Sequence, residues 1–98
     1  MRNERMYKKQ KHELTVNLLY NTNRYHRTLR QTFWNICMYF NIEFTNRRFN
    51  TILNFSYHLG SKIRMQAHRL VYNDEMLLNY ANAHNIKLYD MKKHEVIN

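Results

Sequence analysis

The segment NRYHRTLRQTFW, residues 23 to 34, decides how this chain is expected to fold. Read as one continuous helix, it sets Arg24, Arg27 and Arg30 on one stripe and Leu29 and Phe33 on another. The only tryptophan, Trp34, falls about one turn beyond Arg27 and Arg30, away from the apolar stripe. That stripe continues through Ile36 and Phe40, so the spacing predicts a helix over about 23–40, ended by Asn41. Upstream, Asn21-Thr22-Asn23 offers a break and an N-cap. The expected division is therefore a basic N-terminal arm or helix over 1–22, with a thin apolar seam of Tyr7, Leu14 and Leu18, and a single small helical domain over 23–98.

Farther along, Thr45 is the expected cap of a helix with Phe49, Ile52, Leu53 and Ser56 on one side. Gly60 follows Leu59 where a glycine just past a helix end is expected, and Ser61 then caps a segment with Ile63, Ala67, Leu70 and Val71 inward. Asn73 caps the next helix, with Asp74 and Glu75 in the first turn, where the helix dipole favours acids. Its inner face is Met76, Leu77, Tyr80 and Ala81, and the tail after Asn85 reads equally as a short strand or a further helix. The fold class is mainly α: four to five helices around a small core, with the basic N-terminal arm.

Ninety-eight residues carry one core. Sixteen Lys and Arg against 7 Asp and Glu give a net charge of +9, which calls for an anionic partner: nucleic acid, an anionic membrane surface or an acidic protein. Eight of the basic residues lie within the first 30, and that third is the expected electrostatic footprint. It lacks the broad apolar face of an interfacial helix, which argues against a membrane surface. The longest apolar run, FWNICMYF at 33–40, is much shorter than the roughly 18 residues of a spanning helix. The segment MRNERMYKKQKHE has no apolar core, so neither a secretory signal nor a clean organelle presequence is expected. Cys37 is the only cysteine and sits between Ile36 and Met38, which predicts a buried structural thiol.

Fourteen Asn and 8 Tyr against 1 Gly, 3 Ala and no Pro indicate an AT-rich gene, as in protist mitochondrial genomes, AT-rich parasites and some viruses and phages. Arg still outnumbers Lys by nine to seven, although AGA codons are AT-rich too. Planar, multidentate cations suit phosphate better than simple solubility requires. The candidate RNA contacts are Arg2, Arg5, Lys8, Lys9 and Lys11 on the arm, Arg24, Arg27 and Arg30 on the stripe, and Arg47 and Arg48 near a helix N-terminus. Trp34 is the candidate for stacking on an unpaired base, or alternatively for packing under a neighbouring protein. The bland alternative for each charge run is a solvated helix face.

Residues 77–96, LLNYANAHNIKLYDMKKHEV, approximate a helix-turn-helix, with Ala81 at the crossing, Asn85 at the turn, Met91 inward and Lys92-Lys93 facing DNA. His84 and His94 occupy positions in it that call for apolar residues. The six histidines show neither a helical i,i+4 pair nor a nearby cysteine, so no metal or cofactor is expected. A single glycine leaves no phosphate loop, and Asp74 and Glu75 are better read as helix-start residues than as an acid/base pair; catalysis is not expected.

The runs LRQTFW and EFTNRRF, the Asn73-Asp74 cap and the helix MLLNYANA resemble, over roughly residues 20–83, the large-subunit ribosomal protein family numbered twenty. The resemblance implies a long basic N-terminal helix threading ribosomal RNA and a small helical C-terminal domain. The function expected is an RNA-binding structural constituent of a ribonucleoprotein, namely a mitochondrial ribosome, among ribosomal RNA and neighbouring ribosomal proteins. Two alternatives stand beside it: a small viral or phage DNA-binding regulator acting in the host cytoplasm through 77–96, and an accessory subunit of a large mitochondrial membrane complex.

Overall fold

A computed structural model of the chain describes residues 8–67 and 73–98, with side chains omitted at 64–67. Its helices are α1 (Lys8–Tyr25), α2 (Leu29–Phe40), α3 (Asn46–Ala67) and α4 (Asp74–Ala83), followed by β1 (Tyr89–Asp90) and β2 (Glu95–Val96). The protein is mainly α, with an antiparallel hairpin that pairs Tyr89 with Val96 and Asp90 with Glu95.

From Leu14 to Asn21 the expected arm is the centre of the described structure. Every residue of α1 from Leu14 to Asn21 is buried, so this helix is covered on all sides. Val16, Leu19 and Tyr20 face Leu59 and Ile63 of α3, Leu77 and Ala81 of α4, and Ile86 and Leu88. Leu14 and Leu18 face the other way, onto Phe33, Ile36 and Cys37 of α2, Ile52 of α3, and Tyr89 and Met91. Helix α1 thus divides the core into two halves and belongs to both, and a boundary at residue 22 between arm and domain does not describe 8–25.

The Asn21-Thr22-Asn23 break does not form, because two of its side chains are used elsewhere. Asn21 Nδ2 donates to Tyr89 O at 2.8 Å, and Asn21 Oδ1 accepts from Met91 N at 2.9 Å. Asn17, one turn earlier, donates to Lys87 O at 2.9 Å and accepts from Tyr89 N at 2.7 Å. Two amides four apart on a helix repeat every ~6.0 Å, close to the ~6.7 Å of two strand residues, so this pair stands in for a neighbouring strand along 87–91. Asn23 donates to Asp74 Oδ1 at 2.8 Å. Committed to these distant partners, the asparagines leave the helix intact as far as Tyr25.

The break comes instead at His26, which takes a left-handed backbone with φ of 55°, and at Thr28, whose hydroxyl accepts from Gln31 N at 3.2 Å as the N-cap of α2. The continuous helix expected over 23–40 is therefore divided between the end of α1 and the whole of α2. Phe33 and Ile36 are fully buried and Phe40 packs against them, but Leu29, in the first turn of α2, is 38% exposed.

Asn41 closes α2 in the left-handed conformation at φ 56°, ψ 48°, with its N–H directed at Cys37 O and Met38 O. Thr45 caps α3 through Arg48 N at 3.0 Å, and Asn73 caps α4 through Met76 N at 3.0 Å. Gly60 does not end a helix. Helix α3 passes through it to Ala67, because Leu59 and Ile63, four apart, are buried on one face on either side of it. Of the segment expected after Ser61, Ile63 is buried and Lys62 is exposed, while Arg69, Leu70 and Val71 lie outside the described residues.

Residues 77–96 do not form a helix-turn-helix: α4 ends at Ala83 and Met91 is a buried residue of the hairpin turn. The competing force is Asp90. Its carboxylate is fully buried and accepts from Lys92 N and Lys93 N, both at 3.0 Å, which winds 90–93 into a turn.

Candidate nucleic-acid interface

The interruption of the helix at 26–28 scatters the Arg24/Arg27/Arg30 stripe. Arg24 ends α1, Arg27 lies in the connection and Arg30 opens α2. Arg24 is a clamp between carboxylates: its Nη1 is 3.0 Å from Asp74 Oδ2 and its Nε is 3.5 Å from Asp90 Oδ2. Its Nε also donates to the Tyr25 hydroxyl at 3.2 Å, and that hydroxyl lies 2.6 and 2.7 Å from the two Asp90 oxygens. Burial pushes the Asp90 carboxyl up. The Tyr25 hydroxyl, the backbone N–H groups of Lys93 and Lys92, and Arg24 outweigh burial and hold it below the ordinary 3.8.

Arg27 and Arg30 are exposed, and among the described residues neither enters an ion pair. Arg27 lines a cleft of about 330 Å³ with Asn35 of α2 and with Met91, Lys92 and His94 of the hairpin turn. This cationic cleft is one that sequence reading missed, because Lys92 and His94 lie more than 60 positions from Arg27 and are brought to it by the Asn17/Asn21 pairing. The hairpin tip is well fixed. His94 adopts φ of 57°, its N–H bonds to Asp90 O at 2.9 Å, its Nδ1 lies 3.2 Å from the Tyr89 hydroxyl, and Lys92 Nζ sits 5.0 Å above the Tyr25 ring.

In the first turn of α2, Arg30 lies 5.0 Å over the Phe44 ring and 5.7 Å over Phe49, and its Nη2 donates to Asn46 Oδ1 at 2.9 Å. Trp34 is 51% exposed, its ring centroid 5.6 Å from that of Phe44. Thr28, Arg30, Gln31, Trp34 and Phe44 line a mainly apolar cleft of about 470 Å³. The tryptophan thus stands beside one of the three arginines, on a face that the described residues leave open.

The remaining candidates are elsewhere. Arg48 turns inward, its Nη1 donating to Glu43 O at 2.8 Å and lying 3.8 Å from Glu43 Oε1, whereas Arg47 is exposed. Lys8 and Lys9 are exposed at the start of α1, and Lys11 lays its ammonium 5.6 Å over Phe55. Lys8 and Arg24 are separated by about 24 Å along the helix axis, so the N-terminal cations and the α2 face are different surfaces. Arg2 and Arg5 lie outside the described residues.

At the α1 start the structure also joins two histidines 72 positions apart. His12 Nε2 is 2.7 Å from the Tyr80 hydroxyl, and the His12 and His84 rings meet edge to face at 5.2 Å. His84 Nδ1 donates to Tyr80 O at 2.9 Å. Burial, then His84, Lys62 and Lys8, lower the His12 pKa from 6.5. Among the described residues no three His, Cys, Asp or Glu side chains gather to hold a metal ion. Cys37 is buried, and burial pushes its thiol up to about 11 despite Arg48, which keeps it protonated and unreactive.

Comparison with known protein families, curated proteins and solved structures gives no significant match. Among the described residues no helix is long and apolar enough to cross a membrane.

Proposed function

We propose that the protein is an RNA-binding structural constituent of a ribonucleoprotein, with a mitochondrial ribosome as its setting. The observation that carries this reading is the α2–hairpin face, where Arg27, Arg30, Lys92 and Lys93 are exposed and enter no ion pair among the described residues. The buried acid of this region, Asp90, is consumed by Arg24, Tyr25 and the hairpin backbone and does not neutralise the face. Phosphates are the natural counter-charge of such a face, and an exposed tryptophan beside Arg30 suits RNA better than a uniform polyanion. The ribosomal setting rests on the sequence resemblance over residues 20–83 and on the AT-rich composition. It applies to the α2 face rather than to a projecting N-terminal helix, since α1 is buried from Leu14 to Asn21.

An accessory role in a membrane assembly is the second reading, favoured by Met38 at 67% and Tyr57 at 72% exposure, which suit a protein neighbour. The double variant Arg27→Glu, Lys92→Glu separates the two. For RNA binding it weakens affinity and lowers the slope of log K against log salt by about 1.4, two single-strand phosphate contacts at about 0.7 each. Unchanged affinity and slope in low salt contradict the proposal.

A further inference from the structure

Helix α2 contributes to both clefts. Trp34 lines the apolar cleft and the adjacent Asn35 the cationic one, and among the described residues no acidic side chain lines either. The apolar cleft has the makings of a site for a flat ring. The half-exposed Trp34 indole is the face on which a planar aromatic can stack, and beside it the Phe44 ring, tilted 55° to the indole, lies under the Arg30 guanidinium. Arg30 is held ready by Asn46 and by the rings of Phe44 and Phe49, so it need not be ordered when a ligand arrives. Gln31, one turn before Trp34, brings a primary amide to the rim, with a donor pair and an acceptor to meet the edge of a base. The volume of about 470 Å³ accommodates one nucleoside and not a stacked pair of base pairs.

Resting on the reading of this face as an RNA surface, we infer that the Thr28–Phe44 cleft is a pocket for a single unpaired nucleobase, whose flanking phosphates run along α2 to Arg27 and Lys92. The ligand class is therefore single-stranded or bulged RNA, and not continuous duplex. A duplex keeps its bases stacked inside and can offer this surface only phosphates and sugars.

Trp34 is the only tryptophan, so its fluorescence reports the pocket directly. The full-length protein is titrated with a short mixed-sequence single-stranded RNA, with the blunt duplex formed from it, and with heparin as a polyanion without bases. The expected result is quenching of the indole by the single strand alone, with duplex and heparin binding more weakly and without quenching. By anisotropy, Trp34→Ala loses about 5- to 160-fold in affinity for the single strand, the range for one stacked base, and Trp34→Phe recovers most of it. Duplex affinity is the same in all three proteins. If single strand and duplex bind equally, without quenching and without an effect of Trp34→Ala, the base pocket is overturned while the phosphate surface stands. If no RNA binds even in low salt, the reading of the face as an RNA surface fails as well. If RNA leaves the indole unquenched and Trp34→Ala instead releases a protein neighbour from the native particle, the cleft belongs to that protein and the proposal is wrong.

Discussion

Replacing Asn21 by alanine should unseat the C-terminal hairpin and, with it, the cationic cleft. The Asn21 amide serves two buried backbone groups, accepting from Met91 N at 2.9 Å and donating to Tyr89 O at 2.8 Å. Alanine supplies neither, and the site is too buried for water to replace the amide without opening the hairpin. Each orphaned group costs about 1–3 kcal/mol, so the variant loses about 2–6 kcal/mol. That is a large share of the roughly 5–15 kcal/mol available to a domain of this length, and it lowers the midpoint of thermal unfolding by at least about 8 °C. The control is Asn23→Ala, which gives up one partly buried hydrogen bond to Asp74 and costs about 1 kcal/mol. Urea unfolding followed by circular dichroism measures both variants, and amide exchange at Met91 shows where the opening occurs. A loss below about 0.5 kcal/mol for Asn21→Ala, within the range of an ordinary surface substitution, would refute the claim that these amides act as a strand.

Three further outcomes follow from the same contacts. Asp90 has a depressed folded pKa, so its contribution is whole above the ordinary 3.8 and is lost as pH falls through the folded value; Asp90→Asn flattens this acid limb and costs about 1–3 kcal/mol, both read from denaturation against pH. His12 is lowered instead, so the unfolded chain binds the proton more readily, and stability is whole above 6.5 and declines as pH falls through the folded value. With the ring partly buried, and His84 at the C-cap of α4, Lys62 on α3 and Lys8 on α1 around it, an NMR titration of the ring has its midpoint below 6.5, and a midpoint at or above that value contradicts the packing. Asn41→Gly, at φ 56°, leaves stability within about 0.5 kcal/mol of the parent, while Asn41→Val loses about 1–2 kcal/mol by calorimetry.

Local signals were legible in the sequence where their partners are also local. Thr45 and Asn73 cap helices because the N–H groups they satisfy lie three residues on, and Asn41 stops α2 because asparagine tolerates the left-handed turn. The burial of Phe33, Ile36, Ile52, Leu77 and Ala81 follows from period alone. Asn21 and Asn23 carry the same side chain as Asn73, yet their partners lie 68 and 51 positions away, and nothing within a helical turn reveals that. Reading Asn21-Thr22-Asn23 as a break makes 1–22 look like an arm with a thin seam, although Asn17 and Asn21 are buried at the centre of the fold. The candidate site shared this fate. Trp34 beside Arg30 was legible because they are one turn apart, whereas the Arg27–Lys92–His94 cleft depends on the hairpin that the asparagines hold. Arg24 and Arg48 looked equivalent to Arg27 by charge and were separated only by their acceptors, Asp74 and Asp90 for one and Glu43 for the other.

Ultraviolet cross-linking of the native particle, followed by mapping of the peptides that carry nucleotide, puts the central claim to the most direct trial. The account predicts adducts at Trp34 and within the hairpin tip around Lys92 and His94, abolished when the particle is treated with ribonuclease before irradiation. Adducts confined to the exposed Tyr57 side of α3, or a particle from which no nucleotide cross-links to this chain, would contradict it.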